Sequence, residues 1–165
     1  MKSKLSIIRG NSGSGKTTIA KSLQNQLGIG TLLVSQDTVR RDMLNAHDRE
    51  GNLSIDLIRQ ITEYGKGKCE YVILEGILHK DLYGDMLHHL IRFYNEKVLI
   101  CYFDLSFEET VKRHNSRSKK MEFGEESLRA WWKLNDYLGI KNEMIWTNET
   151  SQDDVLNQVF DHLED

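Results

Sequence analysis

Proline is missing from all 165 residues, and cysteine occurs only twice. Without proline, and with no low-complexity tract or internal repeat, the chain offers no credible interdomain linker. One globular domain spanning 1–165 is expected, since 39% hydrophobic residues suffice for a single sizeable core. Cys69 and Cys101 each sit in or beside an apolar run and lack metal-site spacing, so two buried thiols in a reducing compartment are expected rather than a disulfide. No apolar run approaches a membrane span, and the basic start MKSKLSII carries too short an apolar stretch for a secretory leader. Those absences predict a cytoplasmic protein with no membrane partner. An excess of positive charge is absent too: the net charge is −3, so no overall field recruits nucleic acid, although a local basic patch still binds phosphates.

What is present is alternation. Short β-branched or aliphatic runs recur at Leu5–Arg9, Thr31–Ser35, Tyr71–Glu75, Val98–Asp104 and Met144–Thr147. Stretches of helical periodicity separate them, with Ile19, Leu23 and Leu27 on one face, Leu57, Ile58, Ile61 and Tyr64 on a second, and Leu87, Leu90, Ile91 and Tyr94 on a third. Strands alternating with helices predict an α/β fold, a parallel sheet covered on both faces. YVILEG and VLICYFD are nearly continuous apolar runs, as central strands buried on both sides require.

Between the first strand and the first helix lies GNSGSGKTT. Gly10, four residues, then Gly15-Lys16-Thr17 is the phosphate-loop pattern, or Walker A. Glycines let the backbone curl until its N–H groups converge on phosphate oxygens, and the following helix aims its positive end at the same point. A chance match in a chain this long is on the order of one in a hundred at average residue frequencies. Gly10, Asn11, Ser12, Gly13, Ser14, Gly15, Lys16, Thr17 and Thr18 are therefore the candidate nucleotide-binding residues. Lys16 reaches the β- and γ-phosphates, and Thr17 ligates Mg²⁺.

In an open parallel sheet ligands sit beyond the carboxyl ends of the strands, so the other strand ends are the next candidates. Asp37 lies where the second strand passes into a helix, with Arg40 three residues on along the same face. It reads as a helix cap, as the base that accepts a hydroxyl proton, or as both. Glu75 closes the third strand, and a hydrated Mg²⁺ is the natural partner for a buried acid beside a phosphate loop. After the fourth strand, Ser106 and Glu109 form a capping-box pattern. The helix they start leads to Arg113, Arg117, Lys119 and Lys120, a candidate basic lid at about 113–124. Trp131 and Trp132, with Leu128 and Leu138, read as core and lid packing rather than a stacking platform. The six histidines show no metal pairing, since adjacent His88 and His89 diverge on a helix.

With these residues assembled, the chain resembles the small P-loop kinases, a group that includes polynucleotide 5′-kinase domains, zeta-type toxins, chloramphenicol phosphotransferase and gluconate kinase. GNSGSGKTT, SQDTVR and RHNSR carry the likeness. The resemblance implies an ATP- and Mg²⁺-dependent phosphotransferase acting on an alcohol, with five strands in the order 2-3-1-4-5. It also implies Asp37 as acceptor base, Arg40 as an acceptor-binding group and Arg113 or Arg117 as lid arginine. Arg41, His47 and Arg49 add polar groups beside the acceptor position. A small-molecule acceptor is expected over a polynucleotide 5′-hydroxyl, because no aromatic residue lies between Asp37 and Ile61 and the acids there nearly cancel the arginines. The chain is expected as a monomer or homodimer. A GTPase switch is disfavoured: no Asn-Lys-x-Asp is present, and the Asp81–Gly84 match to Asp-x-x-Gly falls six residues beyond Glu75. An ATPase module of a larger machine normally takes its arginines from a partner, whereas this chain carries its own basic lid.

Overall fold

The structure, a computed structural model, describes residues 1–95, 98–116 and 123–164. Its centre is β1 (Lys4–Gly10), flanked by β3 (Tyr71–Gly76) and β4 (Val98–Phe103). The edges are β2 (Leu32–Ser35) and β5 (Met144–Trp146), giving five strands in the order 2-3-1-4-5 with every pairing parallel. This is the P-loop NTPase fold that the sequence predicts.

Alternation along β1 explains the two faces. Leu5 and Ile7 join Val72, Leu74 and Ile100 in a core closed by α2 (Leu53–Gly65) and α3 (Lys80–Tyr94). Ile8 points the other way, into a core with Ile73, Leu99 and Cys101 that α1 (Lys16–Leu27) and α6 (Gln152–Glu164) close. Each buried aliphatic side chain contributes about 1.5–3 kcal/mol, so neither face can be left uncovered.

Two details depart from the expected periodicity. Tyr64 is 62% exposed. The inward stripe of α2 runs instead through Ser54, Ile58, Thr62 and Gly65, because a Cβ at Gly65 would stand 2.6 Å from Val72 Cγ2 and 2.9 Å from Leu32 Cδ2. That close approach turns Tyr64 outward, where the Lys68 ammonium lies 4.3 Å over its ring. The capping box is also only half formed. Ser106 caps α4 (Phe107–Asn115) by accepting from the Glu109 N–H at 3.2 Å, but Glu109 turns its carboxylate to Arg113, and the Ser106 N–H donates to Asn148. Cys69 is half-buried rather than buried, and it and Cys101 are unpaired thiols. Burial raises the Cys101 thiol pKa well above its ordinary value.

Candidate active site

The phosphate loop spans the gap between the end of β1 and Lys16, the first residue of α1. Gly10 and Gly13 have φ values of +152° and +83°. A Cβ at Gly13 would lie 2.6 Å from the Thr110 carbonyl oxygen, and one at Gly10 2.8 Å from Phe103 Cβ, so both positions exclude side chains on space as well as conformation. Lys16 is 7% exposed and folds over its own loop, donating to the Asn11 carbonyl at 2.8 Å and to Ser14 Oγ at 3.2 Å. The Thr17 hydroxyl reaches the Glu75 carboxylate, 3.3 Å from Oε1. Glu75 is 3% exposed, so this strand-end acid does not turn into solvent. Thr17 and Glu75 together form an oxygen-only donor pair, which suits a hard cation such as Mg²⁺. Among the described residues no group of three or more His, Cys, Asp or Glu forms a metal site.

Thr17, Lys16 and Glu75 face a cavity of about 60 Å³, and Asp37, Arg41 and Trp131 also border it. Asp37 and Arg41 come from a chain segment that leaves β2 into a π-helix (Thr38–Met43). Asp37 makes no side-chain capping bond. Its carboxylate instead stands 3.6 Å from both Arg40 and Arg41 and is half exposed. The two arginines then diverge: Arg40 donates to the Ala46 carbonyl at 3.0 Å and pins the following loop, while Arg41 lines the cavity. Asp37, Arg41, Thr17 and Glu75 also border a larger space of about 590 Å³ that runs along β2.

On the opposite side of the loop, Arg113 is held between Glu109 and the Ser14 carbonyl, both at 2.9 Å. It borders a third cavity, about 450 Å³, together with Thr18, Phe103 and the 148–152 loop after β5. That loop was not singled out by sequence reasoning, although the end of a fifth parallel strand is where a ligand-contacting turn is expected. Arg117, Lys119 and Lys120, and with them half of the expected lid, lie outside the described residues.

Two residues next to the loop have roles that no sequence pattern announces. Asn11 grips the backbone of Lys133 from both directions, donating to its carbonyl at 2.6 Å and accepting from its N–H at 2.8 Å. Arg9, fully buried, donates to the Leu78 carbonyl and to both the carbonyl and carboxylate of Asp136. Burial opposes ionised Asp136, but bonds from His79 and the Lys80 N–H, with the Arg9 charge, outweigh it and hold the carboxyl below its ordinary range. The tryptophan pair divides. Trp132 packs edge-on against Phe107 at 6.0 Å, as expected, whereas Trp131 ends α5 (Glu125–Trp131) 40% exposed, with its ring on the cavity. His89 pairs with Glu63 across α2 and α3.

Sheet order, phosphate loop and flanking helices define a domain of the P-loop NTPase fold. The sequence profile described as an AAA domain matches residues 5–134, and the chain belongs to that family. A gluconokinase from Sinorhizobium meliloti 1021 is similar in structure, with a TM-score of 0.69 at 13% identity over 99% of this chain and 92% of its own. The Mycobacterium tuberculosis APS kinase, in complex with AMPPNP and APS, aligns with a TM-score of 0.68 at 19% identity over 99% of both chains. The Deinococcus radiodurans tunicamycin resistance protein gives 0.66 at 13% identity, covering 98% of this chain and 95% of its own. Among curated proteins none matches the sequence. No described helix is long and apolar enough to cross a membrane.

Proposed function

We propose that the chain is an ATP-dependent kinase that transfers the γ-phosphoryl group to a hydroxyl of a small-molecule acceptor. The observation that carries this reading is the shared cavity, in which the Asp37 carboxylate faces the phosphate-loop residues Lys16 and Thr17. A carboxylate there accepts the acceptor's hydroxyl proton as its oxygen bonds to the γ-phosphorus, and the bond from that phosphorus to the β–γ bridging oxygen breaks to release ADP.

Each remaining group has a place in this scheme. The loop N–H groups and Lys16 hold the β- and γ-phosphates, and Arg113 or Arg117 offsets charge that develops on the transferred group. Thr17 and, through water, Glu75 would hold Mg²⁺, which would supply charge neutralisation on the phosphates. The cavity beside Arg113 and the 148–152 loop has the volume for a nucleoside. Arg41 lies at the acceptor, whereas Arg40 sets the loop that carries it. Two unpaired thiols support a cytoplasmic setting.

The test is a screen of nucleosides, sugars, sugar acids, aminoglycosides and 5′-hydroxyl oligonucleotides for transfer of labelled γ-phosphate. Transfer to one small alcohol that depends on Lys16 and Asp37 supports the reading. ATP hydrolysis that no acceptor stimulates replaces it with an ATPase, and an oligonucleotide as best acceptor replaces the small molecule.

A further inference from the structure

The roof of the cavity is aromatic. Phe123 meets Trp131 edge-to-face at 5.1 Å, and His114 stacks on Phe123 at 4.7 Å. His114 Nε2 lies 2.9 Å from the Phe123 carbonyl oxygen, which fixes the two residues to each other. All three rings border the space that Asp37 and Lys16 face.

Trp131 is placed there firmly. The next residue, Trp132, packs against Phe107, and the residue after that is the Lys133 held on both sides by Asn11 of the phosphate loop. Packing at this corner is supplied by Trp132, while Trp131 stays 40% exposed and borders the cavity that Asp37 and Lys16 also line. A 40% exposed indole on the border of a polar cavity offers a stacking surface, because covering its face with a flat ring removes apolar area from water. An acyclic polyol presents hydrated hydroxyls to that face and gains no such area.

Resting on the kinase reading, we infer that the acceptor is a ring-bearing alcohol, a heteroaromatic nucleoside or a pyranose, stacked by its flat face on Trp131 with its hydroxyl toward Asp37. Substituents on the ring run past Arg41 into the larger space along β2.

The experiment compares adenosine, uridine and D-glucose with acyclic D-gluconate and glycerol as acceptors for the full chain with Mg-ATP. Wild type is set beside Trp131→Tyr and Trp131→Leu. Tryptophan emission is recorded in parallel as each acceptor is titrated without ATP. A ring alcohol should be the best acceptor, its KM rising about ten- to hundredfold in Trp131→Leu with kcat and the KM for ATP nearly unchanged. Trp131→Tyr, which keeps a flat ring, should restore most of the loss. The better of the nucleoside and pyranose arms identifies the kind of ring. A best acceptor that is acyclic, or a ring acceptor whose KM ignores Trp131→Leu, overturns this inference and leaves the kinase reading standing. No transfer to any acceptor, with no change in emission dependent on Trp131, overturns both.

Discussion

The Thr17 hydroxyl stands within 3.4 Å of both carboxylate oxygens of Glu75, which joins the first turn of α1 to the end of β3. In the proposed reading, this hydroxyl and buried acid would be the oxygen donors to Mg²⁺, the acid through water. Glu75→Gln keeps the shape and removes the charge. The Mg²⁺ concentration for half-maximal turnover should rise about tenfold to a hundredfold, measured by titrating the metal at fixed ATP. An unchanged Mg²⁺ requirement would leave Glu75 as a hydrogen-bond partner of Thr17 alone.

Lys16→Ala removes the ammonium from the loop while sparing the backbone N–H groups. Turnover should fall by about two to three orders of magnitude, the scale of losing one donor to developing charge. Calorimetric titration with ATP analogues should show a parallel loss of affinity. Wild-type affinity and turnover together would remove the phosphate-loop assignment.

For Asp37→Asn the expectation separates chemistry from binding. Phosphoryl transfer should drop by about two to four orders of magnitude, with ATP affinity close to wild type. Because Asp37 makes no capping bond, the thermal midpoint should barely move, apart from the weak pairs to Arg40 and Arg41.

Gly13→Ala tests the loop itself. The new methyl would meet the Thr110 carbonyl oxygen at 2.6 Å in a backbone region that favours glycine. The strain should cost about 1–3 kcal/mol in chemical denaturation and loosen nucleotide binding as α4 is pushed away. Gly139→Ala serves as the control: its φ is also positive, but no atom lies within 4 Å of an added Cβ.

Asp136 supplies a pH dependence. Its folded pKa lies below the ordinary 3.8, so the stability it contributes is complete above that value and is lost as pH falls through the folded one. Denaturation midpoints should therefore drop below about pH 4, and in Asp136→Ala this drop should be shallower. At neutral pH the same variant should lose about 3–5 kcal/mol, because Arg9 remains buried without its main partner. Glu143, 3.6 Å from Arg9, keeps the loss toward the lower end.

The site divides by how local its signals are. GNSGSGKTT is legible because nine contiguous residues carry both the turn geometry and the chemistry. Asp37 and Glu75 are legible because strand ends are recognisable, and the resemblance to small P-loop kinases supplied the strand order. Helical spacing predicts packing for Trp131 and Trp132 alike, and does not separate the ring on Phe107 from the one on Phe123. Only Asn11's hold on Lys133, 122 positions away, and the edge of Phe107 decide which ring is covered. Arg9 and Asp136 escape for the same reason, each being unremarkable until the chain between them is folded. Tyr64 shows the converse: the stripe on α2 was rotated by one glycine's contact with two neighbouring strands.

The central position of β1 bears on how the chain reaches this state. Leu5 pairs with Val72 on one side and with Val98 on the other, so the first strand of the sheet has both neighbours only once β4 has been made. Most of the sheet must emerge from the ribosome before the phosphate loop has anything to rest on. The search is dominated by non-local pairings, which sets a slow folding rate through topology alone. With no proline, no peptidyl-prolyl isomerisation is superimposed on it. Until β4 is in place, β1 keeps one edge open beside Ile7 and Ile8, and such an open edge is where a partly made sheet is prone to misassociate.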